Sequence, residues 1–129
     1  MNGKLKDEEL VALRSSVGWD NKTGSFSNVR KGLYAHFTAR LNKRLIGFLD
    51  ILSDGFADAF IQDLIVHPDL QGKGLGKDLM KSAIRFLQKK KIKCIQVTFE
   101  NHLLPFYKKL GFHIFSAGII DRDTMKVKL

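Results

Sequence analysis

The chain has 129 residues, 44% of them hydrophobic and 27% charged, a balance that excludes an intrinsically disordered protein. This length predicts one domain over residues 1–129, with a core that needs no metal, and the single cysteine excludes a disulfide scaffold. The 22 basic residues outnumber the 13 acidic ones, and the resulting charge of +9 fits an anionic ligand, nucleic acid or simply a solvated surface.

The N-terminus gives no sign of secretion or of membrane insertion. Residues 1–8 lack the apolar core of a signal peptide, and no run approaches the ~18 apolar residues of a membrane span. A lone cysteine is typical of a reducing compartment. We therefore expect a cytoplasmic protein with no membrane partner.

Helices and strands alternate along the predicted chain. Apolar spacing predicts a helix over 7–17, which Gly18 ends, and a polar loop with one helical turn over 20–29. The further elements are strands over 34–41 and 45–52 joined by the turn 42–44, a strand over 59–66, a helix over 75–91, a strand over 94–99, a short helix over 102–110 and two terminal strands around the turn 121–123. The order ααβββαβαββ predicts an α/β (α+β) fold, a mixed sheet with helices packed on it.

Three alternating glycines, Gly72, Gly74 and Gly76, separate the apolar strand from the amphipathic helix. Glycines let backbone N–H groups approach a ligand closely, and a helix start adds free N–H donors. Lys73 and Lys77 fit the same interpretation, because cations beside a helix N-terminus are unfavourable unless an anion offsets them. The loop therefore predicts a phosphate site. The alternative is that the glycines only allow the helix to pack tightly on the strand.

The glycine spacing excludes two nucleotide-binding motifs. A Walker A loop needs four residues between its glycines, with Ser or Thr after the lysine, whereas Gly72 and Gly76 enclose three and Asp78 follows Lys77. The dinucleotide motif needs Gly-x-Gly-x-x-Gly and an acidic residue about 20 positions later. This chain has Gly-x-Gly-x-Gly, and residues 94–98 contain no acid.

Two stretches resemble signatures of the GNAT family of N-acetyltransferases. Gln71-x-x-Gly74-x-Gly76, after Val66-His67-Pro68, is similar to the family's coenzyme A loop, and residues 105–112 (PFYKKLGF) are similar to its FY-x-x-LGF pattern. Ser16-Val17-Gly18-Trp19 and Ile46-Gly47-Phe48 also resemble small bacterial-type members. The resemblance covers roughly residues 5–128. It implies a mostly antiparallel sheet with helices on both faces and two splayed parallel central strands.

The resemblance implies acetyl-CoA as cosubstrate, with its pyrophosphate on the glycine loop and its pantetheine arm along the central strand. The implied coenzyme A residues are Leu64, Ile65, Val66, Gln71, Gly72, Lys73, Gly74, Leu75, Gly76, Lys77, Asn101, Phe106, Tyr107 and Lys109. Asn101 is alternatively the N-cap of the helix that follows it. No metal is expected, because His67, His102 and His113 have no metal-ligand spacing.

Tyr107 stands where the family has the general acid that protonates the departing thiolate, and its alternative role is a core aromatic. A backbone N–H of Ile65 or Val66 is expected to meet the oxyanion. No general base is evident, because Gln62 is an amide and the neighbouring Asp63 should point to the opposite face of a strand. The base candidates are His36, Asp54, Asp58 and Asp63.

The acceptor is expected to be an amine on a small molecule or a peptide. Trp19, Phe26 and Tyr34 are predicted to line its pocket, and Asp54 and Asp58 to attract its positive charge. Two other functions remain open, a catalytically silent acyl-CoA-binding or sensing module and a basic nucleic-acid-binding domain. The lysine run over 89–93 suggests the last, although lysines at a helix end also complement its dipole. The resemblance also suggests a homodimer.

Overall fold

A computed structural model describes residues 1–19 and 33–120. The chain falls into two compact units, Met1–Val97 and Thr98–Leu129. The first unit contains α1 (Asp7–Ser16), β1 (Ala35–Leu41), β2 (Arg44–Ser53), β3 (Asp58–Val66), a 3-10 helix (Pro68–Leu70), α2 (Leu75–Lys89) and β4 (Cys94–Gln96). The second contains a 3-10 helix (Asn101–Leu103) and α3 (Leu104–Lys109).

The four strands form one mixed sheet in the order β1-β2-β3-β4. The pairs β1–β2 and β2–β3 are antiparallel, and β3–β4 is parallel. The parallel pairing joins Asp58–Phe60 to Cys94–Gln96, whereas β3 runs on to Val66. The predicted mixed, mostly antiparallel sheet is confirmed, and β3 continues beyond the three residues of β4 that pair with it.

Helices α1 and α2 cover opposite faces of this sheet. Leu10 and Leu13 of α1 belong to a core cluster with Phe48 of β2, whereas Leu75 and Leu79 of α2 lie against Gly47. Since neighbouring residues of a strand face opposite sides, Gly47 and Phe48 mark two different faces. We call these the α2 face and the α1 face. The predicted helices on both faces are confirmed.

Gly47 lets α2 approach β2 closely. A Cβ at this position would lie 2.9 Å from Leu79 Cδ1 and 3.2 Å from Ala39 Cβ. Leu79 is buried, and the Ala39 methyl is fixed to the backbone, so neither atom has free space to retreat into. We expect Gly47→Val to lower the free energy of unfolding by about 2–3 kcal/mol, because overpacking displaces the helix. Urea denaturation measures this change.

Gly3→Val is the matched control for this substitution. A Cβ at Gly3 meets its nearest neighbour, Thr38 Oγ1, at an ordinary 3.6 Å. We expect the control to change the free energy of unfolding by less than about 0.5 kcal/mol. Equal losses in the two variants would show that the close approach of α2 does not depend on Gly47.

Arg40 of β1 connects the sheet to α1 through a bidentate salt bridge with Glu9. Its Nη1 and Nη2 donate to Glu9 Oε1 and Oε2, both at 2.9 Å, and also to the carbonyl oxygens of Lys43 and Lys4 at 2.9 and 2.7 Å. The Arg40 hydrogen bonds, followed by that from the Lys6 backbone N–H, lower the pKa of Glu9 from 4.5 to about 2. The folded state therefore favours the ionised carboxylate.

Glu9→Gln should lower the free energy of unfolding by about 1 kcal/mol near neutral pH, the scale of an exposed but bidentate ion pair. Because the folded pKa of Glu9 lies below its unfolded value, this stabilisation is present above about pH 4.5 and lost as the pH falls towards 2. Unfolding of Glu9→Gln and of the unmodified protein at pH 7 and near pH 2 measures this stabilisation. A difference between them that persists undiminished at the lower pH would contradict the assignment.

A β-bulge interrupts β3 next to the predicted site. Gln62 pairs with Asp50 and Ile65 with Phe48, so Asp63 and Leu64 together lie opposite Leu49. Asp63 adopts a left-handed backbone with φ 53°. A bulge of this kind shifts the alternation of side chains beyond it.

The bulge overturns the prediction that Asp63 points away from Gln62. Gln62 shares the α1 face with Asp50, because the two are cross-strand partners and Asp50 lies two residues from Phe48. Asp63 Oδ2 lies 3.4 Å from Arg14 Nη1 on α1, so its carboxylate is directed to the same face. The predicted alternation fails because it assumes a regular strand.

Several predicted bounds need correction. The strand predicted over 94–99 ends at Gln96, the helix over 75–91 ends at Lys89, and the short helix over 102–110 divides into a 3-10 and an α segment. Residues 112–120 have no regular secondary structure, so the first terminal strand is wrong there. The turn 121–123, the strand after it and the helical turn within 20–29 lie outside the described residues.

Across the described parts of the chain, no helix is long and apolar enough to cross a membrane.

Candidate active site

The glycine loop has the backbone that the sequence predicts for an anion site. Gly72 and Gly74 have φ values of 79° and 85°, in the left-handed region that favours glycine. Gly74 is the N-cap of α2 and supplies no side-chain cap, so the N–H groups of the first helical turn remain available to a ligand. Gly76 lies inside the helix.

The space in front of this loop is open. A Cβ at Gly72 or Gly74 would meet no described atom within 4 Å, and Lys73 and Lys77 are exposed on either side. Left-handed glycines, an uncapped helix start and two exposed cations fit a phosphate group. The alternative that all three glycines only allow tight packing fails at Gly72 and Gly74, where nothing packs against the backbone.

The end of β3 leads directly into the loop. Gln71 Nε2 donates to the Val66 carbonyl oxygen at 3.0 Å, which ties the last residue of the strand to the first residue of the predicted loop. Ile65 is buried in the α1 core, while Leu64 and Val66 are half-buried. All three lie on the part of β3 beyond its pairing with β4. This stretch has backbone groups available for an extended ligand.

In the second unit, Tyr107 lies in a group of aromatic rings. Its ring stacks on Phe99 at 4.4 Å between centroids and meets the edges of Phe106 at 4.9 Å and Phe112 at 5.9 Å. Tyr107 is 7% exposed, and this burial raises the pKa of its phenol. The phenol therefore keeps its proton across the neutral range. A buried core ring and a protonated acid are both compatible with this setting.

Asn101 does not cap either helix of the second unit. It is the first residue of the 3-10 helix, whose N-cap is Glu100, and the N-cap of α3 is Leu103. The capping alternative is therefore wrong. Asn101 and Lys109 are exposed, and Phe106 is half-buried.

The residues predicted to bind the acceptor lie on different surfaces. Trp19 is 39% exposed and its ring lies 5.3 Å from the guanidinium carbon of Arg14, on the α1 side. The Tyr34 ring instead packs against Phe86 of α2 at 6.0 Å. The structure does not bring Trp19 and Tyr34 together. Phe26 lies outside the described residues.

Asp54 organises the turn between β2 and β3. Its Oδ1 accepts hydrogen bonds from the backbone N–H groups of Phe56 and Ala57, both at 2.8 Å, and of Asp58 at 3.3 Å. These bonds, with that from Phe56 the largest effect, lower the pKa of Asp54. Asp54 thus has a structural role in the turn, whereas Asp58 is exposed at the start of β3.

A polar band crosses the α1 face beside the bulge, formed by His36, Asp50, Gln62 and Asp63. His36 stacks on Phe48 at 6.1 Å, and its Nε2 lies 3.0 Å from the Gly3 carbonyl oxygen. Asp50 is only 4% exposed and was missed by the sequence interpretation. An acid in the middle of the apolar stretch 45–52 was the signal for it. No cluster of three potential metal ligands occurs within residues 1–19 and 33–120.

Comparison with known families identifies the protein. A model described as the Acetyltransferase (GNAT) family matches residues 7–112. The chain belongs to the GNAT family of acetyltransferases. The resemblance of the two sequence signatures is confirmed, and GNAT membership supports an acetyltransferase.

Named GNAT relatives cover nearly the whole chain. The "Uncharacterized N-acetyltransferase ycf52" of Pyropia yezoensis is 42% identical, covering 97% of this chain and 71% of its own length. The "GCN5-related N-acetyltransferase 2, chloroplastic" of Arabidopsis thaliana is 34% identical, with coverages of 89% and 43%. A GNAT family acetyltransferase structure from Streptococcus pneumoniae aligns with TM-score 0.75 and 26% identity, covering 92% of this chain and 93% of that one.

Proposed function

We propose that this GNAT protein is an acetyl-CoA-dependent N-acetyltransferase that transfers an acetyl group to a primary amine in a ternary complex. The observation that supports it most is the open glycine loop at the uncapped start of α2. The fold and the family are those of acetyltransferases. A cytoplasmic location, a single domain over 1–129 and a possible homodimer belong to the same proposal.

The backbone N–H groups of the loop 71–77 would hold the pyrophosphate of acetyl-CoA. Lys73 and Lys77 add positive charge to the partial charge of the helix start. Leu64, Ile65 and Val66 would bond the pantetheine arm in the manner of an added strand, because β3 extends beyond its pairing with β4. Asn101, Phe106 and Lys109 are proposed contacts from the second unit.

Acetyl-CoA supplies the acetyl group as a reactive thioester. The amine nitrogen forms a bond to the carbonyl carbon, the C–S bond breaks, and the amine loses a proton. A lysine-type amine has a pKa near ~10.4 and is mostly protonated at neutral pH, so a base must accept that proton. A backbone N–H of Ile65 or Val66 is the proposed oxyanion donor. Tyr107 is the proposed acid that protonates the thiolate.

The base and the acceptor contacts belong to the α1 face in this proposal. Asp54 holds its turn, so the remaining base candidates are Asp58, the His36 imidazole and Asp63, of which Asp63 also pairs with Arg14. An aromatic surface at Trp19 and an acid at Asp58 suit an acceptor with an apolar body and a cationic amine. The histone acetyltransferase TAP1 of Glycine max is 32% identical, and peptide amines therefore belong in any acceptor panel.

Incubation with acetyl-CoA and a panel of small-molecule and peptide amines, with thiol release followed against time, tests the proposal. We expect acceptor-dependent release of coenzyme A and a product heavier by one acetyl group. The second candidate, a silent acyl-CoA-binding or sensing module, is favoured by the engagement of Asp54 and Asp63 in structural contacts. Tight coenzyme A binding without turnover across the panel would support that module and contradict the transferase.

Nucleic-acid binding is tested separately. Lys89 is the last residue of α2 and the other lysines of the run 89–93 follow it, with Lys90 Nζ 5.9 Å from the Phe86 ring. Binding to nonspecific DNA that weakens steeply with salt would support it. The proposal of a small amine or peptide acceptor predicts no binding even at low ionic strength.

A further inference from the structure

Arg14 of α1 is a buried charge next to a strained strand. It is 8% exposed, its Nη1 lies 3.4 Å from Asp63 Oδ2, and its guanidinium carbon lies 5.3 Å from the Trp19 ring. Charged groups are rarely buried to this extent unless oppositely charged or polar groups compensate them. One oppositely charged partner is Asp63, the residue with φ 53° in the β3 bulge.

The bulge decides which way the end of β3 faces. A shift of one residue in a strand moves every later side chain to the opposite face. With the bulge, Ile65 lies in the α1 core at 2% exposure, and Val66 pairs with Gly47 on the α2 face. The backbone of Leu64–Val66 is therefore oriented by the left-handed turn at Asp63.

A left-handed conformation is unfavourable for a residue with a Cβ, although aspartate tolerates it better than most. Such strain persists only where surrounding contacts hold it, and it concentrates at functional sites. The Asp63 carboxylate is anchored to a helix 49 residues earlier in the chain. That anchor supplies a contact able to hold the strained backbone.

We propose that Arg14 is a positioning residue of the acetyl-transfer site: through Asp63 it holds the β3 bulge and thereby orients the Leu64–Val66 backbone. The inference rests on the proposed function, in which this backbone meets the pantetheine arm and the oxyanion. Arg14 also contacts Trp19 at the predicted acceptor surface. It therefore connects the acceptor side of the protein to the backbone that orients the thioester.

Three substitutions separate this role from others. Arg14→Met keeps the aliphatic length and removes the charge. We expect kcat to fall about tenfold or more, a larger factor than the rise in KM for acetyl-CoA, because small misplacements of reacting groups are costly and the proposed pyrophosphate contacts stay in place. Asp63→Gly removes the carboxylate, but glycine adopts positive φ without strain. Asp63→Ala also removes the carboxylate and, in addition, makes positive φ unfavourable. We expect Asp63→Ala to lower kcat more than Asp63→Gly does.

The double variant Arg14→Met/Asp63→Gly measures the coupling between these two residues. In an Asp63→Gly background the bulge no longer depends on Arg14, so Arg14→Met should lower kcat less than about twofold there. Glu9→Gln is the control, because it breaks an ion pair on the same helix away from the bulge. We expect its kcat to match the unmodified protein.

Two kinetic outcomes overturn the proposal. Equal and complete loss of transfer in Asp63→Gly and Asp63→Ala would make Asp63 a general base. A lower thermal midpoint in Arg14→Met with unchanged kcat would make Arg14 only structural. If the unmodified protein transfers nothing, the proposed function fails, and NMR still decides the inference. Unchanged Asp63 backbone couplings and amide shifts of residues 64–66 in Arg14→Met would then overturn it.

Discussion

Gly74→Glu is expected to weaken acetyl-CoA binding at least about 100-fold while leaving the protein folded. Gly74 has φ 85° at the start of α2, and a side chain there projects into space that no described atom occupies within 4 Å. A glutamate would place bulk and negative charge where a pyrophosphate is proposed to bind. Loss of even a few charge-assisted hydrogen bonds, each about 1.5–3 kcal/mol, accounts for this factor.

Gly74→Ala separates the two causes. It imposes the same left-handed strain, of about 1–2 kcal/mol, without the charge or the length of a glutamate. Calorimetric titration with acetyl-CoA measures the affinity, and thermal unfolding measures the strain. We expect similar unfolding midpoints in the two variants and a much weaker affinity in Gly74→Glu alone. Retained affinity in Gly74→Glu would remove the pyrophosphate from this loop.

Elements with a strong apolar pattern were predictable from the sequence. The helix predicted from residue 75 begins at Leu75, and the strands predicted over 45–52 and 59–66 form over Arg44–Ser53 and Asp58–Val66. These segments have local signals, namely helical spacing, turn residues at Ser53-Asp54-Gly55, and glycines before the helix. Local signals are sufficient wherever an element's limits depend on its own residues.

Features that depend on distant partners were not predictable in this way. The bulge at Asp63 is invisible in the pattern of residues 59–66, because that strand has apolar residues on both faces and its alternation is weak. β4 ends at Gln96 although residues 97–99 suit a strand, since its pairing with β3 covers only three residue pairs. The bulge and the short β4 both depend on how β3 pairs with its neighbours, which cannot be read from the residues of one segment.

The candidate site also combines features that depend on local sequence with features that depend on distant residues. The helix start with free N–H donors follows from the glycines that precede the amphipathic helix. The placement of the acceptor residues does not follow from local sequence, because Tyr34 packs on the distant Phe86 of α2, whereas Trp19 lies against Arg14 on the α1 side. Arg14 itself resembles any helical arginine in the sequence. In the structure, its burial and its contact with Asp63, 49 residues away, distinguish it.

Tyr107→Phe is expected to lower kcat about 100- to 10,000-fold, the usual contribution of a positioned general acid. The substitution keeps the ring that stacks on Phe99 at 4.4 Å, so the packing of the second unit should be preserved. Acetyl-CoA affinity, measured by calorimetry, should change less than about threefold, since the phenol is proposed to act on the departing thiolate. Single-turnover kinetics measures the chemical step directly.

The pH dependence of kcat provides the independent check on Tyr107. Burial raises the pKa of its phenol, so the protonated, active acid persists to more alkaline pH than an exposed tyrosine would allow. The alkaline limb of the kcat profile should therefore lie at higher pH than an exposed tyrosine would give, and it should be absent from the residual activity of Tyr107→Phe. A variant with unchanged kcat and the same limb would make Tyr107 a packing residue, and the thiolate would then take its proton from water.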